Sequence, residues 1–286
     1  MPLLPSLRSP EIAERVDRLE IPFSRHGLDA YGLDKAELTR FFTILRPLYR
    51  RYFSMRTYGL EHVPDRGRAM LIGNHSGGVA LDGALIWGAT FYEKEPPRLA
   101  QGMAEKFLAA APFSAQWTAK TGQLTGLPEH ARRLLNDDRL LMVFPEGARG
   151  TAKLYPERHS LVRFGTGFMR LALSTGSPIV PVAFIGGGEA IPTIHNSRTL
   201  GRLLGAPYVP FTPWIVALPR PTACQIYYGP AMHFDGDGNE ADEVILEYVD
   251  QVKTRIAAMI ELGVDRRNRG ALDEPFEFPG AEGGAS

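Results

Sequence analysis

Apolar positions recur along the chain in two spacings, and the alternation between them sets the expected architecture. From Arg56 onward, short apolar runs bounded by glycine, proline or charged residues read as strands: Arg56 to Tyr58, Ala69 to Ile72, Arg98 to Gln101, Leu140 to Phe144, Ile179 to Phe184 and Ala223 to Tyr228. Between and after them lie stretches with helical spacing: Gly83 to Tyr92, Glu105 to Ala111, Glu129 to Asn136, Gly165 to Thr175 and Ala241 to Leu262. Strands alternating with helices predict an α/β fold, a single domain with a mostly parallel central sheet flanked by helices. Neither a linker nor an internal repeat divides this run.

Ahead of it the pattern is helical. Pro10 to Leu19 reads as a short charged helix, and a stronger one starts at Asp34, an N-cap residue with Glu37 three positions on, the arrangement of a capping box. Leu38, Phe41, Phe42, Leu45, Leu48, Tyr49 and Tyr52 keep helical spacing, Arg40, Arg46, Arg50 and Arg51 lie among them, and Pro47 predicts a kink. Two readings fit: an interfacial helix that presents aromatics and arginines to anionic headgroups, or an amphipathic helix packed on the core. The span from Ile191 to Pro221 is apolar, rich in proline and too broken for a long helix, which suits a groove lining, a segment resting on a bilayer or a packed connection. The chain therefore divides into an N-terminal helical segment at 1–55 with a membrane-surface reading, a domain at 56–269, and a Gly-, Ala- and acid-rich tail at 270–286 expected to be disordered.

Composition narrows the function. With 32 basic and 32 acidic side chains the formal net charge is zero, so no global field favours nucleic acid, and no nucleic-acid partner is expected. The single cysteine, Cys224, excludes an internal disulfide framework and a cysteine-rich zinc site, and fits a reducing, cytoplasmic setting. The first twenty residues lack a basic region followed by an apolar core, so a signal peptide is not expected. No run reaches the ~18 apolar residues of a spanning helix, so any membrane contact is expected to be peripheral.

The chemistry concentrates in Met70 to Gly83, MLIGNHSGGVALDG. A short strand breaks at Gly73 and delivers Asn74, His75 and Ser76 onto a turn with Gly77 and Gly78, and Asp82 follows before a helical run. A histidine at a strand end with a carboxylate to orient it is what a general base needs. His75 and Asp82 are seven positions apart, a rise of roughly 10 Å in one continuous helix, so the diglycine has to fold the segment back. A packed histidine beside a helix-capping aspartate fits the same residues. A second strand, Leu140 to Phe144, runs into Pro145-Glu146-Gly147-Ala148-Arg149-Gly150-Thr151. Ligands of parallel sheets bind beyond the carboxyl ends of strands. There Arg149 offers a planar fork for phosphate or carboxylate, and Glu146 either accepts from a hydroxyl or holds that arginine.

Together GNHSGGVALDG, VFPEGARGT and the SPIVPVAFIG strand resemble the glycerolipid acyltransferases of the lysophosphatidic-acid type, in particular a bacterial subgroup carrying NHSGG, over about Gly59 to Gly229. Two motifs in the right order, about seventy residues apart, are far more specific than either alone. The resemblance implies a glycerol-phosphate-acyltransferase-like fold and an O-acyltransferase of phospholipid biosynthesis. Such an enzyme moves a fatty acyl group from acyl-CoA or acyl carrier protein to a hydroxyl of a glycerolipid or lysophospholipid. His75 then stands as catalytic base with Asp82 its carboxylate partner, and Glu146, Gly147 and Arg149 form the acceptor-binding block, with Asn74 and Ser76 in the same substrate-binding set. Pro178, Ile179, Val180 and Pro181 match a fourth, structural or acyl-facing block. It implies no cofactor beyond the thioester co-substrate, no metal, a lipid acceptor, and a peripheral place on the inner face of the membrane.

Two departures stand out. The family's usual spacing is His-x4-Asp, two residues shorter than here, and Gly122-Gln123-Leu124-Thr125-Gly126 has no arginine where many members place one for the acceptor phosphate. Rival readings are a non-catalytic lipid-binding protein on the same fold and a serine esterase acting through Ser76, although no Gly-x-Ser-x-Gly elbow is present.

Overall fold

The computed structural model describes residues 8–76, 81–104, 120–125, 127–214 and 219–274, with Phe276 and Phe278. The expected helix from Glu105 to Ala111, and Gly77, Gly78, Gly126, Ile215 and Val216, lie outside these residues. The strands are β1 (Arg56–Tyr58), β2 (Ala69–Gly73), β3 (Ala100–Ala104), β4 (Leu124–Thr125), β5 (Leu140–Val143), β6 (Ile179–Ile185), β7 (His195–Ser197), β8 (Val209–Phe211) and β9 (Gln225–Tyr228). Seven of them form one sheet in the order β1-β9-β6-β2-β5-β3-β4, parallel throughout except where β6 meets β9. The fold is thus mixed α/β around a mostly parallel sheet. β7 and β8 make a separate antiparallel ribbon inside the proline-rich span.

β2 lies at the centre, and all five of its residues are buried, which is why it is apolar at every position rather than at alternate ones. Side chains alternate across the sheet. Leu71 enters one core layer with Phe42, Tyr49, Leu85 and Trp87, while Met70 and Ile72 enter the other with Leu134, Phe168, Met169 and Ile256. The second layer is made by helices Pro128–Asn136, Gly167–Thr175 and the long Asp242–Asn268.

The helix Lys35–Pro47 closes the first layer. Its N-cap forms as expected, Asp34 Oδ1 accepting from the Ala36 and Glu37 N–H groups at 2.8 and 3.4 Å. The reciprocal half of the capping box does not form: the Asp34 N–H donates to the Lys120 carbonyl, and the Glu37 carboxylate accepts from Arg40. Around Pro47 the helix widens into a π turn, Leu48–Tyr52, with the Phe53 N–H reaching the Leu48 carbonyl at 2.8 Å. The aromatic face packs inward, Phe42 stacking on Phe91 at 3.7 Å, and Arg40, Arg46 and Arg50 pair with Glu37, Glu11 and Glu93.

The stretch after Gly270, expected to lack order, is partly docked. Phe276 packs against Tyr58 and Tyr227, and Phe278, only 8% exposed, against His62. Two phenylalanines in a Gly- and acid-rich setting find an aromatic edge at β1 and β9, a long-range contact that composition does not encode.

Candidate active site

The backbone of β2 leaves the sheet after Gly73, and Asn74 takes over the ladder with its side chain. Its Nδ2 donates to the Phe184 carbonyl at 3.0 Å and its Oδ1 accepts the Phe184 N–H at 2.8 Å. Asn74 is 1% exposed and both ends of its amide are occupied on β6, so it locks the strand end and fixes where the next residue emerges.

That residue is His75. Its Nδ1 lies 3.0 Å from Asp82 Oδ2, so the seven-residue separation is closed. Asp82 is 1% exposed, and its two oxygens also accept the N–H groups of Ser76 at 3.1 Å and Gly83 at 2.8 Å. Both carboxylate oxygens thus act as acceptors. The proton between the pair therefore sits on Nδ1, and the Nε2 lone pair is directed elsewhere. Nε2 has no hydrogen-bond partner among the described residues, and the ring lies flat on Phe144, centroids 4.1 Å apart and planes within 14°. The site presents an imidazole oriented through Nδ1, with its Nε2 edge without a hydrogen-bond partner among the described residues, at the carboxyl end of the central strand.

Glu146 arrives from β5, the neighbour of β2. Its Oε1 accepts the His75 N–H at 2.9 Å and its Oε2 accepts the Val162 N–H at 2.8 Å. Lys153 completes the arrangement: its Nζ lies 2.9 Å from Oε1 and 2.7 Å from Oε2, and donates to the His75 carbonyl at 2.6 Å. Glu146 and Lys153 are 1% and 3% exposed. Burial pulls the Lys153 ammonium below the usual lysine range, and the attraction of Glu146 opposes that shift. The Glu146 carboxylate is therefore engaged on the backbone of the histidine loop and on Lys153, and it does not pair with Arg149. Lys153 escaped the sequence reading. The available signal was local: a carboxylate expected at the buried end of a strand needs a cation, and Lys153 is the next one after Arg149.

Gly150 permits this closeness. A Cβ there would stand 2.7 Å from Glu146 Cβ and 2.8 Å from His75 Cβ, distances no side chain tolerates. Gly187, just after β6, does the same for Ser76, whose Oγ occupies the space within 2.0 Å of where its Cβ would be. Ser76 is 2% exposed and packed on that glycine. The N–H of Gly147 donates to the Phe144 carbonyl at 3.0 Å, closing the turn. Arg149 is the site residue that faces solvent, held by one bond from its guanidinium to the Arg163 carbonyl.

On the short helix Gly187–Ala190, whose two glycines pack on Ser76, lies a partly buried carboxylate, Glu189. It accepts from Arg158 at 3.0 Å and meets His159 Nε2 at 2.9 Å. Burial alone would raise its pKa, but the His159 and Arg158 contacts outweigh it and hold the carboxyl at about 2. Among the described residues no three His, Cys, Asp or Glu side chains converge as a metal site, and no helix is long and apolar enough to cross a membrane.

Residues 54–185, which include every predicted site residue, match the family model described as Acyltransferase. An uncharacterized protein of Mycobacterium tuberculosis is 32% identical over 257 residues, covering 85% of this chain and 71% of the relative. An uncharacterized protein of Mycobacterium leprae is 32% identical over 235 residues, covering 78% of this chain and 64% of its own. Among solved structures, the 1-acyl-sn-glycerophosphate (LPA) acyltransferase PlsC from Thermotoga maritima matches with a TM-score of 0.53 at 17% identity, covering 85% of this chain and 84% of that one. At that identity the likeness is one of fold.

Proposed function

The chain belongs to the acyltransferase family, and on that premise we propose that it transfers a fatty acyl group from an acyl thioester, carried by CoA or acyl carrier protein, to a hydroxyl of a glycerolipid or lysophospholipid. The observation that carries the reading is the His75–Asp82 contact of 3.0 Å, which leaves Nε2 as the free edge. The acceptor hydroxyl binds at Nε2 and gives up its proton to it while the oxygen attacks the thioester carbonyl carbon. The tetrahedral intermediate then collapses, the C–S bond breaks, and the leaving thiolate takes the proton from the imidazolium. Asp82 holds the tautomer and stabilises the imidazolium, while the substrate supplies the nucleophile. No acyl group is attached to the protein, which fits a Ser76 packed away under Gly187.

In this reading Arg149 is the group that meets the acceptor's polar end, since its guanidinium is exposed and it follows the strand end that carries Glu146. Asn74, Gly147 and Glu146 hold the loops that carry the base. Because the acceptor is a lipid, the enzyme works at a membrane surface, which we place at the inner face of the membrane in the cytoplasm.

The test is release of CoA from long-chain acyl-CoA with a panel of lysophospholipids, monoacylglycerol and diacylglycerol. At least one acceptor should raise release above hydrolysis, and His75→Ala should lower that rate by about 10²–10⁴-fold, the usual contribution of a positioned base. An alanine variant as active as wild type overturns the assignment, and an acyl adduct on Ser76 found by mass spectrometry would replace it with the esterase.

A further inference from the structure

The residues between Ala190 and Asp235 include no aspartate or glutamate, although the whole chain carries equal numbers of acidic and basic side chains. The positive charges in this span are Arg198, Arg202 and Arg220. All three are exposed, and among the described residues Arg198 and Arg202 have no carboxylate within salt-bridge distance. Leu203 and Leu204 follow at the end of the short helix Arg198–Leu203; at 80% and 66% exposed they are the most exposed large apolar side chains among the described residues. Ile194 and Trp214, 56% and 36% exposed, flank the β7–β8 ribbon at its other end.

This excursion is tied to the active site. Asn196 Nδ2 donates to the Ala152 carbonyl at 2.6 Å, and the Tyr208 hydroxyl bonds to Thr151, the last residue of the helix that carries Arg149 and Gly150. A surface seated on the ribbon is therefore held in a fixed relation to His75.

We propose that the Arg198–Leu204 projection is the face that docks this protein on an anionic lipid bilayer, with the two leucines entering the acyl boundary and the arginines among the headgroups. This rests on the lipid-acceptor reading and moves the contact away from the N-terminal helix, whose aromatic face is packed and whose arginines are largely paired. Basic residues are drawn to anionic headgroups, and apolar side chains beside them enter the interface. Leucines this exposed, at the end of a short helix, suit a fluid surface that closes around them. A protein partner would need a matching pocket for each.

The experiment is sedimentation of the full chain with vesicles of phosphatidylcholine alone or mixed with phosphatidylglycerol, alongside turnover of a short-chain acceptor soluble as a monomer. Wild type should partition onto the mixed vesicles, and the Leu203→Ser/Leu204→Ser double variant should bind about tenfold less. The Arg198→Gln/Arg202→Gln variant should lose the preference for anionic vesicles, and both should keep wild-type turnover of the soluble acceptor. Unchanged vesicle binding in either variant, or no binding by wild type, overturns the proposal. So does a variant that binds vesicles normally but needs more acyl carrier protein, which would mark the patch as a protein dock. Failure of soluble turnover in wild type strikes the acyl-transfer reading instead.

Discussion

At Lys153 one ammonium meets three acceptors, both oxygens of Glu146 and the carbonyl of His75, in a setting from which water is excluded. Removing one partner of such a pair strands the other charge. Lys153→Met should therefore lower the unfolding free energy by about 3–5 kcal/mol in urea titrations, whereas Glu146→Gln combined with Lys153→Met should recover part of that loss because neither charge remains. A single-variant cost below about 1 kcal/mol would mean that the ammonium is reached by solvent. The His75–Asp82 pair was legible at this scale because a base needs an orienting carboxylate and two glycines offered a way to bring one back. The engagement of Glu146 was not legible: sequence places a carboxylate at a strand end but does not say which of the surrounding donors reaches it first.

Among the elements, the four-residue helix Gly187–Ala190 is held by Glu189, which ties the end of β6 to Arg158 and His159. Its carboxyl titrates at about 2 in the folded protein against 4.5 ordinarily. Between these values the unfolded chain binds more protons, so the stabilisation is complete above about pH 4.5 and is lost as pH falls toward about 2. The difference corresponds to about 3 kcal/mol. Urea midpoints taken at about pH 5 and about pH 3 should fall further for wild type than for Glu189→Gln; equal drops would remove Glu189 from the acid response. Each long apolar strand and each long periodic helix that falls within the described residues was legible from spacing alone. The ribbon was not, because β7 and β8 are three residues each and carry too few positions for a period-2 pattern. β3 also begins at Ala100, since Arg98 turns aside to donate to the Pro64 and Gly67 carbonyls.

For the whole molecule, the sheet order places the carboxyl ends of β5, β2 and β6 side by side, and the site is assembled where three loops meet. The opposite edge of the sheet, β1 and β9, is covered by Phe276 and Phe278. Phe278→Ala should cost on the order of 3 kcal/mol of stability by thermal or urea unfolding while leaving acyl transfer at permissive temperature unchanged. A neutral result would mean that the end of the chain does not contribute to the core. The α/β class was legible because a strand–helix alternation admits few other packings; the docking of the tail was not, because it depends on an aromatic surface built jointly by Tyr227 and by Tyr58 and His62, the last two more than two hundred positions away. The parallel order also carries a consequence for synthesis. His75 leaves the ribosome long before Glu146, Lys153 and the Gly187 that seats its neighbour, so a growing or prematurely terminated chain holds the base without its frame. The bonds that fix the histidine loop, from Glu146, Lys153 and the Phe184 backbone of β6, form only after those later segments have joined β2, and an unfinished chain carries His75 without them.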